Sequence, residues 1–353
     1  MVESRKETDI LPQLAKHSRV SLYETPTQLD QAPNLGAQLG VTIDVKRDDT
    51  LPLAMGGNKV RQLEYYLGPA KDQGADTVLI TGAVQSNFVR LCAAAARRLK
   101  WQPVVQLEDR VPKDDVAYNT SGNVLLNQVL GAEIHKFSEG ENEAAADANL
   151  DRIAEEKRRQ GRTPYVIHLG IDHPPIGGLG YAGAAAETYQ QYQALGVMPN
   201  HVVVPSGSGL THAGFLAGAR AIGWTVPVHG ICVRRDADQQ RARILRRARE
   251  LDGMLENRGG ISEADVRLSD TCLAPGYGRM NAPVAEAIKL AAQEEALLLD
   301  PVYSGRTMAG LIELVRNGTI VKGQRVTFIH TGGAPAIFAY QSDILSGVVQ
   351  SNG

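Results

Sequence analysis

Lys59 lies at a predicted loop–helix junction: Gly56, Gly57 and Asn58 directly precede it, and a helical segment follows. A lysine amine held at a loop–helix junction can act as a Schiff-base nucleophile once its pKa is lowered. A solvated lysine in the first turn of a surface helix has the same local pattern. From this segment alone both interpretations stay open.

A second glycine-rich segment, Pro205–Thr211, follows a predicted strand and opens a predicted helix. Free backbone N–H groups and the positive end of a helix dipole suit a phosphate at such a place. A Walker loop requires a following Gly-Lys-Ser/Thr, which this segment lacks. A GxGxxG motif requires a third glycine at the position where this chain has His212. The segment predicts either an anion site or a tight strand-to-helix turn that binds nothing.

Polar side chains lie at two further predicted strand ends. Ser86 or Asn87 is placed to cap the helix that follows the first of these strands, and the same N–H cluster suits a substrate carboxylate. Tyr303 and Ser304 end the second strand just before another helix. A tyrosine there serves either as core packing or as a proton-transfer group.

The elements that position these segments are short apolar strands alternating with helices. Strands are predicted at residues 77–80, 103–107, 132–137, 165–168, 201–204, 228–233, 297–300 and 326–330. Helices are predicted at residues 87–99, 119–130, 142–159, 178–195, 209–222, 239–257 and 282–295. This alternation is typical of an α/β fold whose mostly parallel open sheets are flanked by helices. Ligands bind at the carboxyl ends of the strands in such sheets, which is where the polar segments lie.

The composition excludes several other classes of protein. The 353 residues carry 37 basic and 39 acidic side chains, so no basic excess points to nucleic acid or to an anionic membrane. No apolar run reaches the ~18 residues of a membrane helix, and no apolar signal core follows the charged N-terminus. Three separated cysteines form no CxxC pair, which predicts buried thiols in a reducing cytoplasm, without disulfides or a metal site.

Taken together and in order, the motifs resemble the 1-aminocyclopropane-1-carboxylate (ACC) deaminase / D-cysteine desulfhydrase family. Members are pyridoxal-phosphate (PLP) enzymes of fold type II, the class that includes tryptophan synthase β and cysteine synthase. The resemblance covers about residues 26–339. The motifs that carry it are Lys46–Thr50, Gly56–Lys59, Gly82–Asn87, Gly178–Tyr181, Ser206–Thr211, Leu299–Tyr303 and His330–Gly333.

The resemblance implies that PLP is the cofactor and that particular residues hold it. Lys59 matches the Schiff-base lysine, Asn87 matches the contact to the ring hydroxyl, and Ser304 matches the position facing the pyridine nitrogen. The residues that match the phosphate-binding turn are Gly207, Ser208, Gly209, Leu210 and Thr211.

The same resemblance implies how a small amino-acid substrate binds. Ser86, Asn87 and the backbone amide of Phe88 match the loop that grips the substrate carboxylate. Tyr303 matches the tyrosine that faces the substrate, and Tyr277 matches a second one.

Three departures from the family pattern bear on the substrate. ACC deaminases carry a glutamate where this chain has Ser304, and a hydroxyl there is typical of β-elimination enzymes. Phe88 replaces a family histidine, and residues 170–175 replace a small polar segment. In that segment His173 either contacts a polar or anionic substituent of the substrate or pairs with Asp172 at a domain seam.

The expected architecture has two domains. A large PLP-binding domain would comprise residues 1–62 and 176–353, and a small α/β domain, residues 63–175, would be inserted in it. The expected reaction is α,β-elimination from a small amino acid, with D-cysteine as first candidate substrate, L-cysteate second and ACC third. A non-catalytic binding protein of the same fold is the alternative from another class, and a homodimer is the expected assembly.

Overall fold

The computed structural model describes residues 6–257 and 259–349 of the chain, and these residues contain ten strands in two sheets. The strands are β1 Leu29–Gln31, β2 Thr42–Arg47, β3 Thr77–Ala83, β4 Gln102–Glu108, β5 Glu133–Phe137, β6 Pro164–Ile167, β7 His201–Ser206, β8 Val228–Cys232, β9 Arg267–Ser269 and β10 Arg325–His330.

The α-helices between the strands vary from single turns to five turns. They are α1 Glu7–Ile10, α2 Pro33–Leu39, α3 Lys59–Asp72, α4 Asn87–Arg98, α5 Val116–Thr120, α6 Gly122–Val129, α7 Glu143–Arg159, α8 Leu179–Leu195, α9 Leu210–Ala221, α10 Ala237–Met254, α11 Ala282–Glu295, α12 Ser304–Arg316, α13 Ala334–Ala339 and α14 Gln341–Ile344. Among the described residues, none of the helices is both long and apolar enough to cross a lipid bilayer.

The larger sheet has the order β1–β2–β10–β7–β8–β9, and only β1 pairs antiparallel to its neighbour. Its central strand β7 is apolar on both faces because helices cover both sides. Val202 and Val204 pack with α8, α9 and α10, while Val203 packs on the opposite face with α2, α11 and α12. Successive side chains of a strand point to opposite faces, so the continuous apolar run predicts this double coverage.

The smaller sheet has the order β5–β4–β3–β6, and all of its strands are parallel. Helix α4 covers one face and α7 the other. All four strands lie within residues 77–167. The division of the chain at residues 62/63 and 175/176 stays a prediction, and its first boundary falls inside the continuous helix α3.

The predicted α/β class, with mostly parallel sheets flanked by helices, is confirmed, and two predicted elements are wrong. Residues 297–300 form no strand, because their chain runs outside both ladders and the carboxylate of Asp300 accepts from the N–H groups of Val302, Tyr303 and Ser304. The predicted helix at 119–130 is divided into α5 and α6, since Gly122 takes a positive φ of 58°.

Helices α8 and α9 cross closely because small residues line their contact. A Cβ atom on Gly218 would lie 2.5 Å from the Cα of Ala182, and one on Gly214 would lie 2.2 Å from the carbonyl oxygen of Gly178. On the other side of α8, a Cβ on Gly180 would lie 2.1 Å from the carbonyl oxygen of Arg61 in α3. These contacts set the positions of α3 and α9. Helix α3 begins with Lys59, and helix α9 follows the turn at Gly207–Gly209.

We predict that Gly218→Ala lowers the free energy of unfolding by about 2 kcal/mol or more, because the added methyl group meets backbone atoms that cannot move aside. Denaturant unfolding measures this effect. Gly253→Ala is the matched control, since Gly253 lies in α10 with no atom within 4 Å of an added Cβ. The control should leave the stability unchanged or raise it slightly. Equal losses in both variants would contradict the close helix crossing.

Candidate active site

An open cleft of about 1060 Å³ lies where the carboxyl ends of the parallel strands of both sheets meet. The smaller unit, which is the four-stranded sheet with its helices, contributes residues at the ends of β3, β4 and β6 and on α4 and α7. The larger unit, which is the six-stranded sheet with its helices, contributes residues at the ends of β7, β8 and β10. Of the residues expected from the sequence to form a site, those that line the cleft are Lys59, Ser86, Asn87, Phe88, Gly207, Ser208, Gly209, Thr211, Tyr277 and Tyr303.

Lys59 begins α3 after a loop of unusual backbone conformation. Four successive residues, Ala54 to Gly57, have positive φ angles, and a Cβ on Gly56 would lie 2.0 Å from the carbonyl oxygen of Asp49. The backbone N–H of Asn58 donates to the carbonyl oxygen of Thr331 at 3.1 Å. The loop is thereby held against the end of β10, which places the lysine side chain in the cleft.

The surroundings of Lys59 favour its neutral amine. Its Nζ lies 4.9 Å from the centre of the Phe88 ring and 3.3 Å from Oε1 of Gln62, and no carboxylate forms an ion pair with it among the described residues. Burial lowers the pKa of Lys59 to about 8. With this pKa, about a tenth of the amine is unprotonated at pH 7, and this is the form that a nucleophile or general base requires.

The N-terminus of α4 presents polar groups to the cleft beside Lys59. Ser86 caps the helix, because its hydroxyl oxygen accepts from the backbone N–H of Val89 at 3.3 Å. The side-chain oxygen of Asn87 accepts from Nδ2 of Asn123 at 2.8 Å, which holds the Asn87 side chain in one orientation. The capping role predicted for Ser86 is confirmed, and the helix N-terminus also suits a carboxylate.

The turn between β7 and α9 has the form of a phosphate-binding site. The backbone N–H groups of Ser208, Gly209 and Leu210 have no acceptor among the described residues, and Gly209 takes a φ of 98° that favours glycine. Arg243 donates to the carbonyl oxygen of Ser208 at 2.9 Å. The Leu210 side chain packs in the core, so only its backbone faces the turn. Free N–H groups at a helix N-terminus fit the phosphate of PLP.

One hydroxyl group connects this turn to the lysine helix. Oγ1 of Thr211 accepts from Nδ2 of Asn58 at 2.8 Å and from Nε2 of Gln62 at 3.0 Å. Asn58 and Gln62 flank Lys59 in the sequence. These two hydrogen bonds therefore connect the first turn of α3, which carries Lys59, to the start of α9.

Two tyrosines from distant segments meet in the cleft. The hydroxyl groups of Tyr277 and Tyr303 are 2.7 Å apart, and the two rings meet edge to face with centroids 6.0 Å apart. Burial raises the pKa of both phenols, and for Tyr303 the neighbouring Tyr277 adds to this effect. Both groups stay protonated at neutral pH, so the pair is able to donate a proton to a bound molecule.

Ser304 does not line the main cleft, contrary to its expected position opposite the pyridine ring. The side chain is fully buried, and its hydroxyl donates to Oδ1 of Asp300 at 2.7 Å and accepts from the Asp300 backbone N–H at 2.8 Å. Thr331, which follows β10, does line the cleft and carries a hydroxyl group. A role for Ser304 in contact with the cofactor therefore lacks support from the geometry.

His173 also lies outside the cleft lining, and neither expectation for it describes the structure. Its ring stacks on His168 with centroids 4.1 Å apart, and its Nε2 lies 3.7 Å from Oδ2 of Asp147. Asp172 pairs with Arg246 at 3.1 Å and not with His173. The reason is that Arg247 donates to the carbonyl oxygens of Gly170 and His173, which turns this loop toward α10.

Several cleft residues escaped the sequence analysis, and most of them are charged. Glu108 and Arg110 at the end of β4 form a bidentate ion pair, with N–O distances of 2.8 Å. Arg234 after β8 donates to Glu143 of α7 at 2.8 Å, and this contact joins the two units. The sequence signal that could have identified Glu108 and Arg234 was their place directly after predicted strands. Among the described residues, no cluster of three or more His, Cys, Asp or Glu is arranged to hold a metal ion.

We predict that Lys59, with the expected cofactor removed, reacts with an amine-specific acylating reagent at a rate that rises with pH to a midpoint near 8. The physical reason is that only the neutral amine is nucleophilic and burial lowers its pKa to about 8. Peptide mass spectrometry after brief labelling measures the rate at this one lysine. A midpoint near ~10.4, the ordinary value for lysine, would contradict the buried environment.

Comparisons with known proteins agree with this geometry. Residues 20–332 match the family described as pyridoxal-phosphate dependent enzyme. The D-cysteine desulfhydrase of Salmonella typhi is 39% identical over 95% of this chain and 99% of its own length. The D-cysteine desulfhydrase of Klebsiella pneumoniae (strain 342) is 39% identical over 94% of this chain and 98% of its own length.

Solved structures show the same relationship. The crystal structure of an ACC deaminase homologue is 33% identical, covers 96% of this chain and 99% of its own, and superposes with a TM-score of 0.85. O-ureido-L-serine synthase, at 15% identity and a TM-score of 0.63, shares the fold alone. The resemblance inferred from the motifs is confirmed: the chain belongs to the family of pyridoxal-phosphate dependent enzymes, in the group that contains ACC deaminase and D-cysteine desulfhydrase.

Proposed function

We propose that this PLP-dependent enzyme catalyses α,β-elimination from a small amino acid with a sulfur substituent on Cβ, and that D-cysteine is its substrate. The observation that carries the proposal is the cleft in which the Lys59 amine, with a pKa of about 8, shares one cavity with the hydroxyl pair of Tyr277 and Tyr303. An acceptor for the Cα proton and a donor for the departing sulfur are thus present together. The relatives named D-cysteine desulfhydrase support the choice of substrate.

The residues present fit the cofactor. The free N–H groups of Ser208, Gly209 and Leu210 would hold its phosphate, the Lys59 amine would bond its aldehyde, and Asn87 would contact its ring hydroxyl. Thr331 offers the hydroxyl in the cleft for the pyridine nitrogen, in place of Ser304. When bound, PLP withdraws electrons from the substrate Cα and so makes its proton acidic.

The N-terminus of α4 positions the substrate. The hydroxyl of Ser86, the side chain of Asn87 and the backbone N–H of Phe88 converge there, and the helix dipole favours a carboxylate. With the carboxylate held in this place, the neutral Lys59 amine would accept the Cα proton. The Phe88 ring lies 4.9 Å from this amine and forms one side of its surroundings.

The two tyrosines act on the opposite end of the substrate. Their raised pKa values keep both hydroxyls protonated, so Tyr303 or Tyr277 would donate a proton as the carbon–sulfur bond breaks. Since the hydroxyls are 2.7 Å apart, the Tyr303 hydroxyl would stabilise charge that develops on Tyr277, because this hydrogen bond lowers the pKa of Tyr277 against the effect of burial. The products are sulfide, ammonia and pyruvate after hydrolysis of the released aminoacrylate.

L-Cysteate, which would release sulfite, is the second candidate, and the arginines of the cleft favour it. Arg110, Arg234 and Arg243 line the cavity, and both Arg110 and Arg234 lie close enough to influence the pKa of Tyr277. Guanidinium groups bind a sulfonate well. Glu108 and Glu143 already pair with Arg110 and Arg234, which reduces this preference and leaves D-cysteine first.

ACC stays a third candidate. The sequence argued against it because Ser304 replaces a family glutamate, yet Ser304 is bonded to Asp300 and does not line the cleft. That argument therefore no longer decides between ring opening and elimination. The non-catalytic alternative is set aside because the chain belongs to a family of enzymes.

A panel of amino acids assayed for 2-oxo acid tests the proposal. We expect wild-type enzyme to turn over D-cysteine with the highest kcat/KM among D-cysteine, L-cysteine, L-cysteate and ACC. Lys59→Ala should lose most of the turnover and the borohydride-stable PLP adduct, because this position then lacks an amine. Dominant activity on cysteate or ACC would contradict the choice of substrate, and a borohydride-stable adduct in Lys59→Ala would contradict the role of Lys59.

We further propose that the chain acts as a homodimer. Five large apolar side chains are exposed on or beside helices α5, α6 and α13, which pack on one another: Met55, Val116, Leu125, Val129 and Phe338. Large exposed apolar side chains on neighbouring helices are a feature that a subunit interface would cover. Light scattering should give twice the chain mass of 38.0 kDa. Val129→Glu with Phe338→Glu should reduce the mass to that of one chain, whereas Leu195→Glu, exposed at the end of α8, should not.

The proposed location is the cytoplasm. All three cysteines, Cys92, Cys232 and Cys272, are buried and unbonded, as suits a reducing compartment.

A further inference from the structure

Among the described residues, one fully buried arginine donates all of its hydrogen bonds to a single loop. Arg306 lies in the first turn of α12, and its two terminal nitrogens donate to four backbone carbonyl oxygens. Nη1 donates to Cys272 and to Leu273, both at 2.5 Å. Nη2 donates to Gly276 at 3.3 Å and to Arg279 at 2.6 Å.

This arrangement is unusual for a buried cation. Within residues 6–257 and 259–349, Arg306 forms no ion pair with a carboxylate, and its Nε has no hydrogen-bond partner. Burial lowers the pKa of Arg306, because removing the charged guanidinium from water costs free energy. Carbonyl dipoles compensate this cost only if the loop stays in one conformation around the guanidinium.

The loop that Arg306 holds is the one that carries Tyr277. Residues 270–281 contain no helix or strand, and Gly276 and Gly278 take positive φ angles of 135° and 67°. Such a segment does not define the direction of a side chain by itself. Arg306 contacts it on both sides of Tyr277, at residues 272–273, 276 and 279.

The same helix end carries the other tyrosine. Tyr303 directly precedes α12, and Arg306 follows it by three residues, one helical turn. One rigid element therefore positions Tyr303 through the backbone and Tyr277 through the guanidinium. The separation of 2.7 Å between the two hydroxyls depends on both.

We propose that Arg306 is a positioning residue that sets the Tyr277–Tyr303 hydroxyl pair for proton donation, acting through the Cys272–Arg279 loop. The inference rests on the proposed function, since it requires Tyr277 to act on the substrate. It assigns to Arg306 no contact with the substrate or the cofactor, because Arg306 does not line the cleft.

A double-mutant cycle on the holoenzyme tests the inference, with D-cysteine as substrate or, if the panel shows otherwise, the amino acid that the wild type turns over best. Arg306→Lys keeps the charge but reaches fewer carbonyls, so we expect kcat to fall about tenfold or more, with a smaller change in KM. In a Tyr277→Phe background the same substitution should change kcat by less than about twofold, because no hydroxyl is left to position. PLP absorbance should remain that of the wild type.

Arg220→Lys is the matched control. Arg220 donates to the carbonyl oxygens of Trp224 and Val226 at 2.9 and 3.2 Å and does not line the cleft. Its kcat should stay within about twofold of the wild type. A similar loss of melting temperature in both arginine variants, with a loss of kcat only in Arg306→Lys, separates positioning from general destabilisation.

Three outcomes overturn the inference. Equal fold losses from Arg306→Lys in the wild-type and Tyr277→Phe backgrounds mean that Arg306 does not act through Tyr277, and the proposed function stands. Full activity of Arg306→Lys likewise means that Arg306 does not position Tyr277, and it leaves the proposed function standing. Full activity of Tyr277→Phe overturns the role of Tyr277 in the proposed function and the inference with it.

A second variant covers the case in which Arg306→Lys does not fold. Asn281 donates to the carbonyl oxygens of Cys272 and Ala274, and it also caps α11 by accepting from the N–H of Val284. Asn281→Asp keeps the cap and removes the donors to the loop. The same non-additivity with Tyr277→Phe is expected, and equal losses in the two backgrounds overturn the inference.

Discussion

Four charged side chains are buried together, and the position of helix α3 depends on them: Lys46, Asp48, Arg61 and Glu187. Arg61 lies two residues after Lys59. Arg61 donates to Asp48 at 2.8 Å and to Glu187 at 2.8 Å, and Lys46 donates to Glu187 at 2.5 Å. Burial alone would raise the pKa of Glu187, but Arg61 and Lys46 hold it well below its usual value. Removing one member of such a network leaves an uncompensated buried charge, which costs about 3–5 kcal/mol. Since Arg61 belongs to α3, the network fixes the helix whose first residue is Lys59.

The cleft also depends on how the two sheets meet. Glu143 of α7 accepts from Arg234 at 2.8 Å and from Arg235 at 2.6 Å, and both arginines follow β8 of the other sheet. Arg247 of α10 donates to the carbonyl oxygen of Gly170, after β6, at 2.6 Å. These polar contacts join the units around the rim, whereas the cleft between them stays open to substrate.

Burial has opposite effects on the two kinds of titratable group in the cleft, and both effects favour the neutral form. It lowers the pKa of Lys59 to about 8, and it raises the pKa of Tyr277 and Tyr303. Burial therefore supplies a partly unprotonated amine and two protonated phenols in the same cleft at the same pH. This pairing of base and acids suits an elimination, in which one proton leaves Cα and another is required at the leaving group.

Local sequence patterns were sufficient to predict the fold class and several local features of this protein. Alternating apolar strands and helices predicted the α/β class, the glycine turn before α9 predicted free N–H groups, and Lys59 was expected in the cleft where the structure has it. Tertiary structure alone decided that Thr331 and not Ser304 faces the cleft, and that His173 stacks on His168. Helix caps, turns and strand periodicity arise from neighbours along the chain, so they are visible in the sequence. The orientation of Ser304 follows from its hydrogen bonds to Asp300 in a segment that forms no strand, and that of His173 follows from a loop held by Arg247, 74 residues later in the chain. Helix and strand periodicity contains neither piece of information.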